Sequence, residues 1–175
     1  MARYDFAGRV AVVTGGAQGI GSGIARRFLE DGMTVVAADT DAEALAEASD
    51  ALGSCGRWVG VRADVACEAD VRALMAAAVA RCGRIDALVN NAGIMGPQTA
   101  LEETDLAAWD RVLAVNLTAH FLCARAAAPV LRRCGGAIVN IASTRALQSE
   151  ANTFAYSASK GGGVALTHAL AVSLG

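Results

Sequence analysis

One glycine-rich stretch, Thr14-Gly15-Gly16-Ala17-Gln18-Gly19-Ile20-Gly21, constrains the fold of this chain more than any other feature. It follows an apolar run, 9–13, that predicts a strand, and it opens a helical pattern of apolar residues from Ile24 to Leu29. Glycines at such a junction allow a tight turn and let the backbone approach a phosphate closely, while the helix N-terminus offers free N–H groups. The stretch therefore predicts a strand-turn-helix unit that binds a pyrophosphate.

An acidic residue closes the second predicted strand. The run from Met33 to Ala38 is apolar, and Asp39 follows it directly. A carboxylate in this place can accept hydrogen bonds from both hydroxyls of an adenosine ribose, and it would repel a 2′-phosphate. Asp39 therefore favours NAD over NADP. The alternative is a tight βα turn followed by an incidental acid in the next loop.

The rest of the chain alternates between strand and helix patterns. Strands are predicted at 9–14, 33–39, 57–63, 85–90 and 137–142, and helices near 19–31, 41–52, 67–82, 105–133 and 154–173. Thr40-Asp41-Ala42-Glu43 has the spacing of a capping box, and glycines 32, 53, 83 and 135 follow helix ends. This alternation predicts an α/β fold, a Rossmann-type doubly wound parallel sheet in three α/β/α layers, as a single domain over 1–175.

A tyrosine and a lysine stand four positions apart in the last helix, within F-A-Y-S-A-S-K-G-G. Tyr156 and Lys160 should share one helix face, and Ser143 follows the fifth strand thirteen residues upstream. A phenol is a poor acid, with an ordinary pKa of about 10, and a neighbouring cation favours its ionised form. Such a tyrosine can exchange a proton with an alcohol oxygen. The alternative is an interface tyrosine beside a solvated lysine.

Composition limits the partners and the compartment. The net charge of −2 and the scattered arginines give no reason to expect a nucleic acid, and we expect no apolar stretch of about 20 residues, hence no membrane. No secretory signal is expected at the N-terminus. The five cysteines form no C-x-x-C pair and no metal cluster with the histidines, so no metal is predicted. Their odd number and irregular spacing favour the cytoplasm.

The glycine pattern, counted from Gly15, is G-x-x-x-G-x-G rather than G-x-G-x-x-G. With Asn90-Asn91-Ala92-Gly93, Asn116, Ser143 and the Tyr156-x-x-x-Lys160 motif, it resembles the classical, NAD(P)-dependent members of the short-chain dehydrogenase/reductase family. The resemblance runs from about Gly8 to Gly175, with the motifs in the order of the family.

The resemblance implies a set of cofactor-binding residues. The residues that would contact the dinucleotide are Gly15, Gln18, Gly19, Ile20, Gly21, Asp39, Asp64, Val65, Asn91, Ala92, Gly93, Tyr156 and Lys160. Asp64 and Val65 would lie beside the adenine, although Asp64 has the alternative of a turn or cap acid. Asn90 is as well explained by hydrogen bonds that join the central strands.

The resemblance also implies a catalytic set. Tyr156 would be the general acid or base, Lys160 would act on Tyr156 and on the nicotinamide ribose, and Ser143 would hold the substrate oxygen. Asn116 resembles the asparagine that holds a water on the proton path, with a buried structural amide as its alternative. His120 and His168 are interpreted as packing or contact residues.

The implied activity is hydride transfer between NAD(H) and a secondary alcohol or ketone. Relatives continue into a sixth strand, a substrate loop and a seventh strand, so we expect this chain to be part of a longer protein. The alternatives are a catalytically impaired nucleotide-binding remnant, or an NADP-dependent enzyme such as a 3-oxoacyl-thioester reductase. Homodimers or homotetramers through helices 105–133 and 154–173 are expected, and the substrate stays open.

Overall fold

A parallel sheet of five strands runs through the residues that the structure, a computed structural model, describes, which are 6–175. The strands are β1 Val10–Thr14, β2 Thr34–Asp39, β3 Trp58–Arg62, β4 Ala87–Asn90 and β5 Ala137–Asn140. All five lie within the predicted ranges, and the Rossmann-type α/β fold is confirmed.

Helices connect the strands. They are α1 Gly19–Glu30, α2 Ala42–Leu52, α3 Glu68–Cys82, α4 Leu106–Leu113, α5 Ala119–Cys134 and α6 Phe154–Leu174. The helix predicted near 105–133 is present, and a π-helical turn within it, Ala114–Thr118, separates α4 from α5. A π turn inserts one extra residue into the hydrogen-bonding pattern, and such turns are frequent at functional sites.

The strand order places a crevice beside β1. The order is β3-β2-β1-β4-β5, so the chain first adds β2 and β3 on one side of β1 and then adds β4 and β5 on the other side. Ligands of open parallel sheets bind at the carboxyl ends of the strands where the order reverses. That point lies between the loop after β1, which contains the glycine-rich stretch, and the loop after β4, which contains Asn91-Ala92-Gly93.

Apolar side chains cover both faces of the sheet. On one face Val12 and Leu88 pack with α3 and α5, and on the other Val13 and Val89 pack with α1 and α2. All residues of β1 are buried. A parallel strand that is covered on both faces is apolar along its whole length, so its residues do not alternate between apolar and polar.

The helix ends differ from prediction in two places. Asp41, not Thr40, caps α2, since its Oδ1 accepts hydrogen bonds from the N–H groups of Glu43 and Ala44. Gly53 has a right-handed backbone with φ −72°, so it ends α2 without the left-handed conformation that favours glycine. Gly83 does take that conformation, with φ 73°.

The stretch Leu106–Cys134 is, by length and composition alone, long and apolar enough to cross a membrane, contrary to our expectation from the sequence. The same properties belong to core helices. Here Val115, Ala119 and Leu122 are buried in the cluster that covers one face of the sheet.

One buried carboxylate ties the central strands together. Asp86, just before β4, accepts hydrogen bonds from the Val10 N–H at 2.8 Å and from the Arg84 guanidinium at 2.8 and 2.6 Å. Burial opposes its ionisation, but these hydrogen bonds and the charges of Arg84 and Arg9 outweigh that effect and hold the pKa of Asp86 below its ordinary value.

We predict that Asp86→Asn lowers the free energy of unfolding at pH 7 by about 1.5–3 kcal/mol, since a charged acceptor is lost. The contribution of Asp86 is present above its unfolded pKa, about 4, and is lost as the pH falls through its lower folded value. The difference between the two proteins should therefore shrink below about pH 4. Urea unfolding of the two proteins, at pH 7 and again below the unfolded pKa of Asp86, measures this difference in free energy.

Glu68→Gln is the control, because its ion pair with Arg125 lies between two half-exposed side chains. That substitution should change the unfolding free energy by at most about 1 kcal/mol. Equal effects of the two substitutions would contradict the role given to Asp86.

Candidate active site

The turn between β1 and α1 depends on glycine at two kinds of position. Gly15 and Gly19 have positive φ angles of 60° and 55°. A Cβ at Gly21 would overlap the carbonyl oxygen of Gly15 and would also lie 2.6 Å from Nδ2 of Asn91. Gly15 and Gly19 are required by their backbone conformation, and Gly21 is required by close packing. The glycine spacing predicted from the sequence therefore has two physical causes.

The start of α1 presents free donors to the crevice. Within residues 6–175, the side chain of the N-cap residue Gln18 makes no capping bond, and the first turn carries no acidic residue. The first N–H groups of a helix have no partner inside the helix and attract an anion. The turn can therefore bind a phosphate group.

Asn91 fastens the loop after β4 to the glycine turn. Its Nδ2 donates to the carbonyl oxygens of Thr14 at 2.9 Å and of Gly15 at 3.0 Å. Thr14 completes the junction, since its Oγ1 accepts from the N–H groups of Asn91 and Ala92. Sequence reasoning missed Thr14, although its place between the strand and the first glycine was the available signal.

Asn90 takes the structural role that the sequence left open. It is fully buried, and its Nδ2 donates to Oδ1 of Asn140 at 2.8 Å, which joins β4 to β5. It is not among the residues that line the crevice.

A cleft of about 440 Å³ opens above the glycine turn. The predicted cofactor-binding residues that line it are Gly15, Gln18, Ile20, Asp39, Asp64, Val65, Asn91, Ala92 and Gly93. Gly19 and Gly21 shape the turn without lining the cleft. The structure adds Arg111 and Val115, which the sequence gave no reason to select.

Two carboxylates stand at the β2 and β3 side of this cleft. Asp39 is half-buried and accepts hydrogen bonds of 3.3 Å from the N–H groups of Ala17 and Asp41. Asp64 accepts from the Ala66 N–H at 2.9 Å and forms an ion pair of 3.1 Å with Arg111. Asp64 is thus a turn acid, as its alternative reading held, and it also faces the cleft.

Lys160 and Tyr156, also predicted to bind the cofactor, are not among the residues that line the cleft, but Lys160 adjoins it, since a Cβ at Gly93 would lie 3.7 Å from its Nζ. Lys160 is only 4% exposed, and its Nζ donates to the carbonyl oxygen of Ile141 at 2.7 Å. The same Nζ lies 5.7 Å from the centroid of the Tyr156 ring. Burial lowers the pKa of Lys160 from its ordinary value, because desolvation disfavours the ammonium form.

Asn116 occupies the π turn and joins three segments. It is fully buried; its Oδ1 accepts from the Ile94 N–H, and its Nδ2 donates to the Ile94 carbonyl, each at 2.8 Å. Nδ2 also lies 3.1 Å from Oγ of Ser159, on the helix of Tyr156 and Lys160. Asn116 therefore fixes the loop after β4 against α6.

Ser143 begins a short 3-10 turn, Thr144–Ala146, that packs against α6. Its Oγ accepts a hydrogen bond of 3.2 Å from the Arg145 N–H. Since that bond uses an oxygen lone pair, the hydroxyl proton stays available for another acceptor. Arg145 itself forms an ion pair with Glu150, which holds the loop after Ser143 in place.

The geometry of the sheet, the glycine turn and the last helix can be compared with known proteins. The model of the family described as short chain dehydrogenase matches residues 9–175. An uncharacterized oxidoreductase of Thermotoga maritima is 52% identical over 95% of this chain and 66% of its own length. The cis-4-hydroxycyclohexanecarboxylate dehydrogenase of Sinomonas cyclohexanicum is 45% identical over 96% of this chain and 68% of its own length.

Among solved structures, NAD⁺-bound xylitol dehydrogenase is similar with a TM-score of 0.93 and 32% identity, over 98% of this chain and 66% of that one. The chain spans about two thirds of the length of these relatives. The protein belongs to the short-chain dehydrogenase family of oxidoreductases.

We predict that Gly21→Ala destabilises the protein by about 2–3 kcal/mol, because the added methyl group overlaps the Gly15 carbonyl. Gly23→Ala is the matched control, since a Cβ there meets open space among the described residues. In the interior of α1 the control should stabilise by up to about 1 kcal/mol. Thermal unfolding measures both, and equal changes would show that the turn tolerates a side chain.

Proposed function

We propose that this protein transfers a hydride between NAD(H) and a secondary alcohol or the corresponding ketone. The observation that carries the proposal is that Lys160 lies beside Tyr156 and that its Nζ adjoins Gly93, a residue of the cleft above the glycine turn. Two relatives are named dehydrogenases of a hydroxycyclohexane carboxylate and of xylitol, and both of these substrates contain secondary alcohols.

The residues of the cleft fit a dinucleotide. A Cβ at Gly19 would meet open space, so the turn backbone is uncovered there; the start of α1 offers N–H groups to a pyrophosphate, and Asp39 offers carboxylate oxygens to a ribose. Bound NAD⁺ would supply the hydride acceptor.

Within this proposal Tyr156 moves the proton. In oxidation its phenolate accepts the hydroxyl proton of the alcohol as hydride leaves the carbon, and in reduction the phenol returns a proton to the ketone oxygen. Ser143 donates its free hydroxyl proton to the substrate oxygen, where negative charge develops.

Lys160 acts on this proton transfer by its charge. Its ammonium has three N–H donors, and the Ile141 carbonyl takes one of them. The others are left for the nicotinamide ribose and for a bound water, and the positive charge lies 5.7 Å from the centroid of the Tyr156 ring. Asn116 holds the loop and the helix that define this geometry.

We further propose that NAD is preferred to NADP. Asp39 lines the cleft, and its two oxygens already accept from backbone N–H groups, which fixes the carboxylate in place. A 2′-phosphate in the same place would meet a like charge. The structure of xylitol dehydrogenase is of its NAD⁺-bound form, which supports the general class of cofactor.

Association is a proposal as well. We propose that copies of the full-length protein pair through α5 and α6, where Phe121 and Val172 expose apolar surface. Light scattering at micromolar concentration should give a dimer or tetramer, and a monomer would contradict the proposal.

The cytoplasmic location and the single-domain boundary stay predictions.

The central prediction concerns Tyr156→Phe. Removing the hydroxyl removes the proton donor and acceptor, so kcat of the full-length protein should fall by about 10²–10⁴-fold with NAD⁺ and a panel of secondary alcohols. The dissociation constant for NAD⁺ should change little, because the ring is retained. Steady-state kinetics and calorimetry measure the two quantities.

Ser173→Ala is the control, since it removes a hydroxyl from an exposed position near the end of the same helix. It should leave kcat unchanged. Retained turnover in Tyr156→Phe would remove Tyr156 from the mechanism, and a wild-type protein with no turnover would contradict the proposed reaction.

A second prediction concerns Asp39→Asn, which keeps the shape of the side chain and removes its charge. We expect the ratio of the NADP⁺ to the NAD⁺ dissociation constant to fall by about tenfold, the size of a modest like-charge repulsion. Asp50→Asn removes the same charge from an exposed site on α2 and should leave the ratio unchanged. An unchanged ratio in Asp39→Asn would contradict the ribose argument.

A further inference from the structure

His120 is a buried side chain for which the described residues supply no partner. It lies on α5, one helical turn after Asn116, and it is 3% exposed. Within residues 6–175, neither Nδ1 nor Nε2 has a hydrogen-bond partner. Buried polar groups in native proteins are paired with protein or with ordered water, because an unpaired group loses its hydration without compensation.

The imidazole of His120 faces a part of α6 that carries no side chain. A Cβ placed on Gly163 would lie 3.7 Å from Nδ1 of His120, so the helix backbone approaches the ring without an intervening side chain. Lys160 stands one turn before Gly163. Burial, and secondarily the Lys160 charge, lower the pKa of His120 to about 4. The ring is therefore neutral near pH 7, with one nitrogen that donates and one that accepts.

A second unpaired group belongs to the same face of the sheet. Oδ1 of Asn90 is buried without a partner among the described residues. Leu88 packs in the cluster that contains the buried side chains of α5, and alternate residues of a strand point to one face, so Asn90 points toward α5 as well. Asn140 and Thr167 are hydrogen-bonded to each other and add two neutral polar groups there.

We propose that His120 and Asn90 bound an internal water site beneath Lys160, and that His120 is a positioning residue that holds the Lys160 ammonium through this water. A polar, enclosed site whose walls supply two to four hydrogen-bond partners is the kind that holds a conserved buried water. Its effect on hydride transfer rests on the proposed function.

The physical effect follows from the burial of Lys160. Desolvation disfavours the ammonium form, and the Ile141 carbonyl satisfies one of its three donors. A neutral acceptor that reaches Nζ through water stabilises the charge without adding another cation. Removing the acceptor should lower the pKa of Lys160 further, so the ammonium form would be lost at a lower pH.

The first test compares His120→Leu with His120→Gln in the full-length protein. His120→Leu should move the alkaline limb of the pH profile of kcat/KM for alcohol oxidation downward by about one pH unit, the size of one charge-assisted hydrogen bond to the Lys160 ammonium. His120→Gln retains a donor and an acceptor and should stay near the wild-type profile. A purely structural histidine would lower stability in both variants and leave the limb in place, which would overturn the proposal.

The second test leaves His120 intact. Gly163→Ala should place a methyl group against the imidazole, exclude the water and reproduce part of the shift. Gly161→Ala is the matched control on the same helix, because a Cβ there meets only the Ala146 carbonyl oxygen at 3.8 Å, an ordinary contact. Equal pH profiles for these two variants would count against the water site.

The third test does not depend on turnover. A high-resolution crystal structure of the full-length protein should show a water within hydrogen-bond distance of a His120 nitrogen. A direct protein partner at both nitrogens, or a dry contact, would overturn the proposal. If the wild type has no NAD-dependent turnover, the proposed function fails, and this structure still decides the water site.

Discussion

The burial of one ammonium group is the constraint on which the geometry of this site depends. Lys160 is 4% exposed, and its charge is kept in the interior by the Ile141 carbonyl at the end of β5. The neighbourhood leaves little room: a Cβ at Gly93 would lie 3.7 Å from Nζ and 3.3 Å from Oδ1 of Asn116. The loop after β4, the π turn and α6 must therefore hold their relative positions for the lysine to stay charged beside Tyr156.

The opposite end of the crevice depends on a different kind of contact. There the glycine turn is held by Asn91, whose amide donates to the carbonyl oxygens of Thr14 and Gly15. Because β1 and β4 are neighbours in the sheet, one side chain can set the distance between the turn and the loop that leads to Asn116. The sheet order thus links the glycine-turn end of the cleft to the segments around Asn116 and Lys160.

Much of the fold could be predicted because its signals are local. The apolar runs gave strand bounds within two residues, and Gly21 and Asp39 were found from their spacing after a strand. The π turn could not be predicted, since the hydrogen bonds that accompany it join Asn116 to Ile94, 22 residues earlier. The ion pair between Asp64 and Arg111 spans 47 residues and left no mark in the pattern. For His120, a packing or contact role was expected, but the close approach of Gly163, on another helix, to its ring could not be predicted from local sequence.

The most direct measurement is a crystal structure of the full-length protein with NAD⁺. The account predicts the pyrophosphate at the start of α1, the adenosine ribose on Asp39, and the nicotinamide ribose within hydrogen-bond distance of Lys160 Nζ, with Tyr156 facing the same space. A dinucleotide bound elsewhere, or a nicotinamide ribose remote from Lys160 and Tyr156, would contradict the claim that this buried lysine organises the reaction.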